Sequence, residues 1–127
     1  KQAEGMKLIV ADPRESDVAR LADIYLPVKP GEDPAMLAGM LNVIIAEGLY
    51  DRNFVAAHVD GFDKLAEAVK AFPPEVAAER AGLDKDQLIA AARMFAGGTK
   101  GCAVTGTGPE MAGNGTLTEY LVVCLNT

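Results

Sequence analysis

The sequence predicts an α/β fold: a partly parallel sheet of three recognisable strands, with a multi-helix insertion between the second strand and the third. Three observations lead there. Short apolar or β-branched runs bounded by polar, Gly or Pro residues stand at Leu8 to Ala11, Ile24 to Val28 and Cys102 to Thr105. Helical periodicity fills the spaces between them, and strands alternating with helices read as βα units on a parallel sheet. The stretch between the second and third runs is far longer than one crossover needs, so its helices, about 34–97, form an insertion.

Taken in order, Lys1 to Met6 reads as the end of a helix running into the first strand. That strand stops at Asp12-Pro13-Arg14, a short helical pattern follows, and the second strand runs out into Pro30-Gly31-Glu32-Asp33. The longest helix starts near Pro34, whose fixed φ suits a first helical position, with Asp33 able to cap the free backbone amides. Leu37, Met40, Leu41 and Ile44 share one face, and Gly48 is a natural stop. A second helix from Asp51 carries Phe54 and Val55. A third, Gly61 to Phe72, places Phe62, Leu65 and Val69 at helical spacing before Pro73 ends it. Pro74 to Ala81 is a short helix stopped by Gly82, and Asp84 caps another with Leu88, Ala92 and Phe95 inward. Gly97 to Lys100 links that helix to the third strand. In the last helix Leu117, Tyr120, Leu121 and Cys124 form an apolar face still running at Thr127, so the chain reads as a piece of something longer.

Composition narrows the function classes. Eighteen carboxylates against twelve Lys and Arg, with no basic run, argue against nucleic acid as a partner. The longest apolar run, LNVIIA, is far short of a bilayer span, so no direct membrane contact is expected. Cys102 and Cys124 stand far apart in apolar patterns and read as two buried free thiols; the scattered Met residues read as core filler. His58 has no second ligand type near it in sequence and reads as a helix-end residue. No Ser-His-Asp order, paired-glutamate motif or P-loop occurs.

What remains is two strand ends that carry carboxylates. In an open parallel sheet the carboxyl ends of the strands share one edge, and the loops leaving it form the crevice where nucleotides usually bind. Asp12 at such an end suits the two hydroxyls of a ribose; equally, Asp12-Pro13 opens a turn in which the carboxylate bonds the backbone two residues on. Arg14, Glu15 and Ser16 lie where a loop becomes a helix, a place for an anionic or polar ligand, or simply for a solvated Arg and a Glu at the helix's positive end. Gly31 allows positive φ or a close backbone approach. Gly106-Thr107-Gly108 fails as a dinucleotide fingerprint: position 111 is Met rather than Gly, Pro109 interrupts the turn, and a helix is expected only several residues later.

The order of strand, DPR, short helix, AD, strand, PG-x-D, long helix and EGLYDRNFV resembles the molybdopterin oxidoreductase family, the dimethyl sulfoxide reductase and formate dehydrogenase group. The resemblance runs from about Gly5 to the last residue, with later matches at Gly61-Phe62 and Gly106-Thr107-Gly108 in the expected order. It implies that residues 1–127 are a fragment of a Rossmann-like α/β domain gripping the guanosine end of one molybdopterin guanine dinucleotide. By the same resemblance Asp12, Pro13, Arg14, Glu15 and Ser16 lie against the guanosine. Gly31, Glu32 and Asp33 form the second contact, Asp33 reading the N1 and N2 donors of guanine. Thr107 and Gly108 remain as candidates in a loop that approaches the pterin, where Met111 departs from the family's Gln or His. The parent enzyme would depend on molybdenum or tungsten. It would hold a second dinucleotide, a Cys, selenocysteine, Ser or Asp ligand to the metal and often an iron-sulfur cluster, all elsewhere, leaving the isolated chain catalytically silent. The partners implied are the rest of the parent chain and the pterin cofactor. Two alternatives stand beside it: a generic nucleotide-binding or protein-interaction α/β domain with no metal cofactor, and a helical scaffold in which Asp12 and Asp33 are dispensable.

Overall fold

The structure, a computed structural model, describes residues 2–127, with a single 3-10 turn at Gln2–Glu4 ahead of the sheet. The helix end expected at the amino terminus falls partly on Lys1, outside the described residues. Two strands form, β1 (Ile9–Ala11) and β2 (Ile24–Leu26), paired in parallel with Ile9 opposite Ile24, Val10 opposite Tyr25 and Ala11 opposite Leu26. A single turn of helix, α1 (Asp17–Arg20), joins them, with the Ser16 hydroxyl accepting from the Ala19 amide as its cap. Successive strand side chains point to opposite faces. Ile9, Ile24 and Leu26 accordingly join the core cluster, while Val10 and Tyr25 take the other face.

The amino ends of the two strands are clamped by Asp23. Its carboxylate accepts from Lys7 Nζ at 2.8 Å and from the Leu8 amide at 2.9 Å, and these donors, Lys7 first, hold its pKa below the ordinary value.

The core is organised around α2 (Asp33–Ala46). It buries Ala35, Met36, Leu37, Ala38, Gly39, Met40, Leu41, Val43 and Ile44, which cover its whole circumference rather than one stripe. A helix apolar all round must be enclosed. It is enclosed here by α4 (Phe62–Val69), α5 (Pro74–Ala81), α6 (Lys85–Ala96) and α8 (Gly115–Leu125). Its one interior amide, Asn42, donates to the Val69 carbonyl at 2.9 Å. Small residues set the spacing: Ala77, Ala81, Ala91 and Ala92 are wholly inaccessible, and a Cβ at Gly39 would fall 2.5 Å from the Ala77 Cβ and 3.0 Å from Leu88 Cδ2. Between α2 and α4, α3 (Arg52–His58) buries no residue; it is capped by Asp51, whose carboxylate accepts from the Asn53 and Phe54 amides at 2.9 Å, and it ends at His58. Asp84 caps α6 through the Gln87 amide, as expected.

The third strand does not form. Cys102 to Thr105 is irregular, Val104 is 84% exposed and Cys102 is exposed rather than buried. A strand needs a ladder partner, and among the described residues Ala103 is met instead by a side chain: Asn126 Oδ1 accepts from the Ala103 amide at 2.7 Å and Asn126 Nδ2 donates to its carbonyl at 2.8 Å. Without that strand, the helices of 34–97 are not an insertion between sheet strands but the larger part of a mostly helical α/β unit. Helix α7 (Thr107–Met111) starts at once after Gly106 rather than several residues later, and a Cβ at Gly115 would fall 2.1 Å from the Glu110 carbonyl oxygen, so glycine is required where α7 meets α8. Helix α8 is also rotated from the expected face. Thr118, Leu121 and Val122 are buried, with the Thr118 hydroxyl returned to the Asn114 carbonyl, whereas Leu117 and Tyr120 are exposed and Cys124 is half-buried. Met36 and Met40 are core residues, but Met6 and Met111 are exposed.

Replacing Gly39 by Ala raises helix propensity by about 1 kcal/mol and inserts a methyl group where Ala77 already stands. Overpacking of this kind costs about 1–3 kcal/mol. Gly39→Ala is therefore expected to lower the urea midpoint, and Gly39→Val to lower it further; an unchanged or raised midpoint would contradict the close contact.

Candidate functional site

Because β1 and β2 are parallel neighbours, the loops that follow them leave the same edge of the sheet. One carries Asp12 to Ser16 and the other Gly31 to Asp33. The structure thus brings these two candidate groups to one rim.

In the first loop Asp12 is held three ways. Its amide donates to the Leu26 carbonyl at 3.2 Å, its carbonyl accepts from the Tyr25 hydroxyl at 2.9 Å, and Oδ1 accepts from the Arg14 amide at 2.8 Å. The last of these is the turn expected as the plainer reading of Asp12-Pro13, and it leaves Oδ2 without a partner among the described residues. The Arg14 side chain is exposed and pairs with no carboxylate among the described residues. Glu15 lies 3.8 Å from Arg20, whose nearer partner is Asp17 at 2.8 Å. Since α1 is one turn long and Ser16 already caps it, its amides present little of a helix-end field.

The second loop is anchored below. The Lys29 amide donates to the Ala81 carbonyl at 2.9 Å, and the Lys29 side chain lies across Gly82, where a Cβ would meet it at 2.5 Å. Gly31 takes φ +84°, a left-handed conformation that favours glycine, and faces open space. Glu32 is tied to Arg80, Oε2 to Nε, at 2.6 Å.

Asp33 does not cap α2, contrary to expectation: it is the first residue of the helix, Glu32 occupies the cap position, and neither makes a side-chain cap. Apart from its own backbone N–H, the Asp33 carboxylate has no hydrogen-bond donor among the described residues. Burial is the main influence on it and pushes its pKa above 3.8. A half-buried acceptor with no external donor stands beside a glycine that leaves room for a ligand.

Thr107 and Gly108 are not part of this rim. They open α7, whose main packing is on α8. Two open clefts lie elsewhere, one of about 350 Å³ along β2 and α6 (Asp23, Ile24, Tyr25, Pro27, Gln87, Ala90) and one of about 650 Å³ between α7 and α8. Neither includes Asp12 or Asp33. Among the described residues no three His, Cys, Asp or Glu side chains are placed to hold a metal ion, and no helix is long and apolar enough to cross a membrane. Sequence reasoning missed Tyr25 and Arg80. The alternation of Ile24, Tyr25 and Leu26 already set Tyr25 on its own face of the sheet; nothing local could have paired Arg80 with Glu32.

Comparison with known proteins finds close likenesses. No family model matches the chain. Acetylene hydratase of Syntrophotalea acetylenica is 49% identical over 92 residues, which is 72% of this chain and 13% of that protein. The thiosulfate reductase molybdopterin-containing subunit PhsA of Salmonella typhimurium is 40% identical over 95 residues, 75% of this chain and 12% of that protein. Among solved structures, acetylene hydratase from Pelobacter acetylenicus superimposes with a TM-score of 0.95 at 39% identity, over 98% of this chain and 17% of that one. The chain spans between a tenth and a fifth of the length of these relatives.

The raised pKa of Asp33 has a consequence for stability. The folded state binds this proton more tightly than the unfolded state, so the charge costs stability above the raised pKa, and the cost is gone below the unfolded value near 3.8. Asp33→Asn is expected to raise the thermal midpoint at pH 7, with the two proteins converging as the pH falls below about 3.8. An Asn variant that is less stable at pH 7 would show that the carboxylate is held by internal bonds.

Proposed function

Because the chain belongs to the molybdopterin oxidoreductase family, we propose that it forms the part of such an enzyme that holds the guanosine end of one molybdopterin guanine dinucleotide. The observation that carries this reading is Asp33, a carboxylate kept half-buried at a cost in stability, with no external donor, beside Gly31 at the exit of a parallel strand. A carboxylate matches the paired N1 and N2 donors of guanine, and adenine offers no such pair. Asp12 Oδ2 accepts from the ribose, and Arg14, unpaired and exposed, reaches phosphate or the face of the base. These residues fit the nucleotide end of the cofactor. Glu32, held by Arg80, contributes position rather than a contact. Thr107 and Gly108 belong to a separate surface that approaches the pterin.

When bound, the metal and pterin supply the reaction chemistry, and the chain supplies binding and orientation. The relatives' names include both a hydratase and a reductase, which suits a reading in which this segment grips the nucleotide and the reaction is set elsewhere in the parent chain. The metal ligand and any iron-sulfur cluster belong to the parent chain, and the chain alone is catalytically silent.

Titration of the chain with GMP and AMP, followed by NMR, tests this. GMP is expected to bind more tightly, and Asp33→Ala to reduce the preference by about tenfold or more, as loss of a charged hydrogen-bonding partner does. Equal binding of the two nucleotides would return the reading to a generic nucleotide-binding domain.

A further inference from the structure

We infer that Tyr25 is a positioning residue for the nucleotide site, holding the Asp12 carboxylate toward the ribose through the hydrogen bond from its hydroxyl to the Asp12 carbonyl. The inference rests on the reading above, in which Asp12 meets the ribose, and adds a residue that touches no ligand itself.

Asp12 has four polar handles. The Leu26 carbonyl takes its amide, the Arg14 amide takes Oδ1, and the Tyr25 hydroxyl takes its carbonyl, so only Oδ2 is uncommitted among the described residues. Two of the three restraints come from β2, and Tyr25 is the only side chain among them that reaches across from β2 to the loop leaving β1. Removing it frees the peptide plane between Asp12 and Pro13 to rotate, and with it the direction of the carboxylate. Tyr25 can act this way because of strand alternation. Ile24 and Leu26 point into the core, and their pairing with β1 fixes the backbone, which leaves Tyr25 on the opposite face with its ring level with Val10. Partial burial first, then the charges of Asp12 and Glu15, hold the phenol pKa above its ordinary value, so the O–H stays a donor through the neutral range. The same strand continues into Gly31 and Asp33, so one element carries both the base-reading loop and the restraint on the ribose-reading loop.

Tyr25→Phe removes only the hydroxyl. The test compares binding of GMP, AMP and 2′,3′-dideoxy-GMP, which lacks the hydroxyls that Asp12 would accept from, to the chain and to this variant. Tyr25→Phe is expected to bind GMP about three- to tenfold more weakly, with the GMP to AMP ratio unchanged and dideoxy-GMP affinity unchanged. In the unsubstituted chain the 13C resonance of the Asp12 carbonyl should move as the Tyr25 phenol ionises at alkaline pH. With GMP binding by the unsubstituted chain intact, equal GMP affinity in the variant, equal loss for GMP and dideoxy-GMP, or an Asp12 carbonyl blind to Tyr25 would overturn this inference alone. Failure of the unsubstituted chain to bind GMP would overturn the nucleotide reading and this inference with it.

Discussion

The need to enclose α2 on every side governs this structure. A helix with one apolar stripe can lie on a surface, but α2 presents Leu37, Met40, Leu41 and Ile44 together with Ala35, Ala38, Gly39 and Val43, and no orientation leaves it a wet face. The surrounding helices must therefore close around it, and closure at this range is possible because the facing positions are glycine and alanine. The amino terminus of α2 is fixed by the same enclosure. Asp33 is its first residue, so its place at the sheet edge is set by this packing together with the anchors of the loop before it, Lys29 on Ala81 and Glu32 on Arg80.

The two ends of the small sheet are built differently. At the amino end Asp23 satisfies itself on Lys7 and the Leu8 amide, and its carboxylate is stabilised in place. At the carboxyl end the aspartates keep capacity in hand. Asp12 retains one oxygen, and Asp33 carries the electrostatic cost of partial burial without an external donor. Carboxylates of the same type thus perform a structural duty at one end and remain available at the other, and the difference lies wholly in which donors the backbone brings near.

Much of this was legible in the residues. The helices from Pro34 to Ala96 follow from spacing and punctuation, with Asp51 and Asp84 capping as their positions predict. The parallel pairing of the first two strands followed from βα alternation, and with it the common exit of the Asp12 and Asp33 loops. The third strand was misread because Cys102 to Thr105 has the composition of a strand, whereas strand formation depends on a neighbour that composition does not report. Helix α8 was read one face out because Thr118, polar by type, is buried with its hydroxyl returned to its own helix. The capping of α2 failed on a shift of a single residue, the difference between Glu32 and Asp33. The restraints on the candidate site, Tyr25 on Asp12 and Arg80 on Glu32, are tertiary and have no local signature.

Both outer rims of the two-stranded ladder lack strand partners among the described residues, with the backbone groups of Ile9 and Ala11 facing out on one side and those of Tyr25 on the other. Open rims recruit other chains into fibrillar stacking. Pro27 follows β2 directly and Pro13 stands two residues beyond β1, each removing an amide from the line along which an intruding strand would extend. Pairing along either rim is thereby limited to the three residues of each strand. The imino acids that end the two strands at their shared carboxyl edge thus limit how far a neighbouring strand could extend the pairing there.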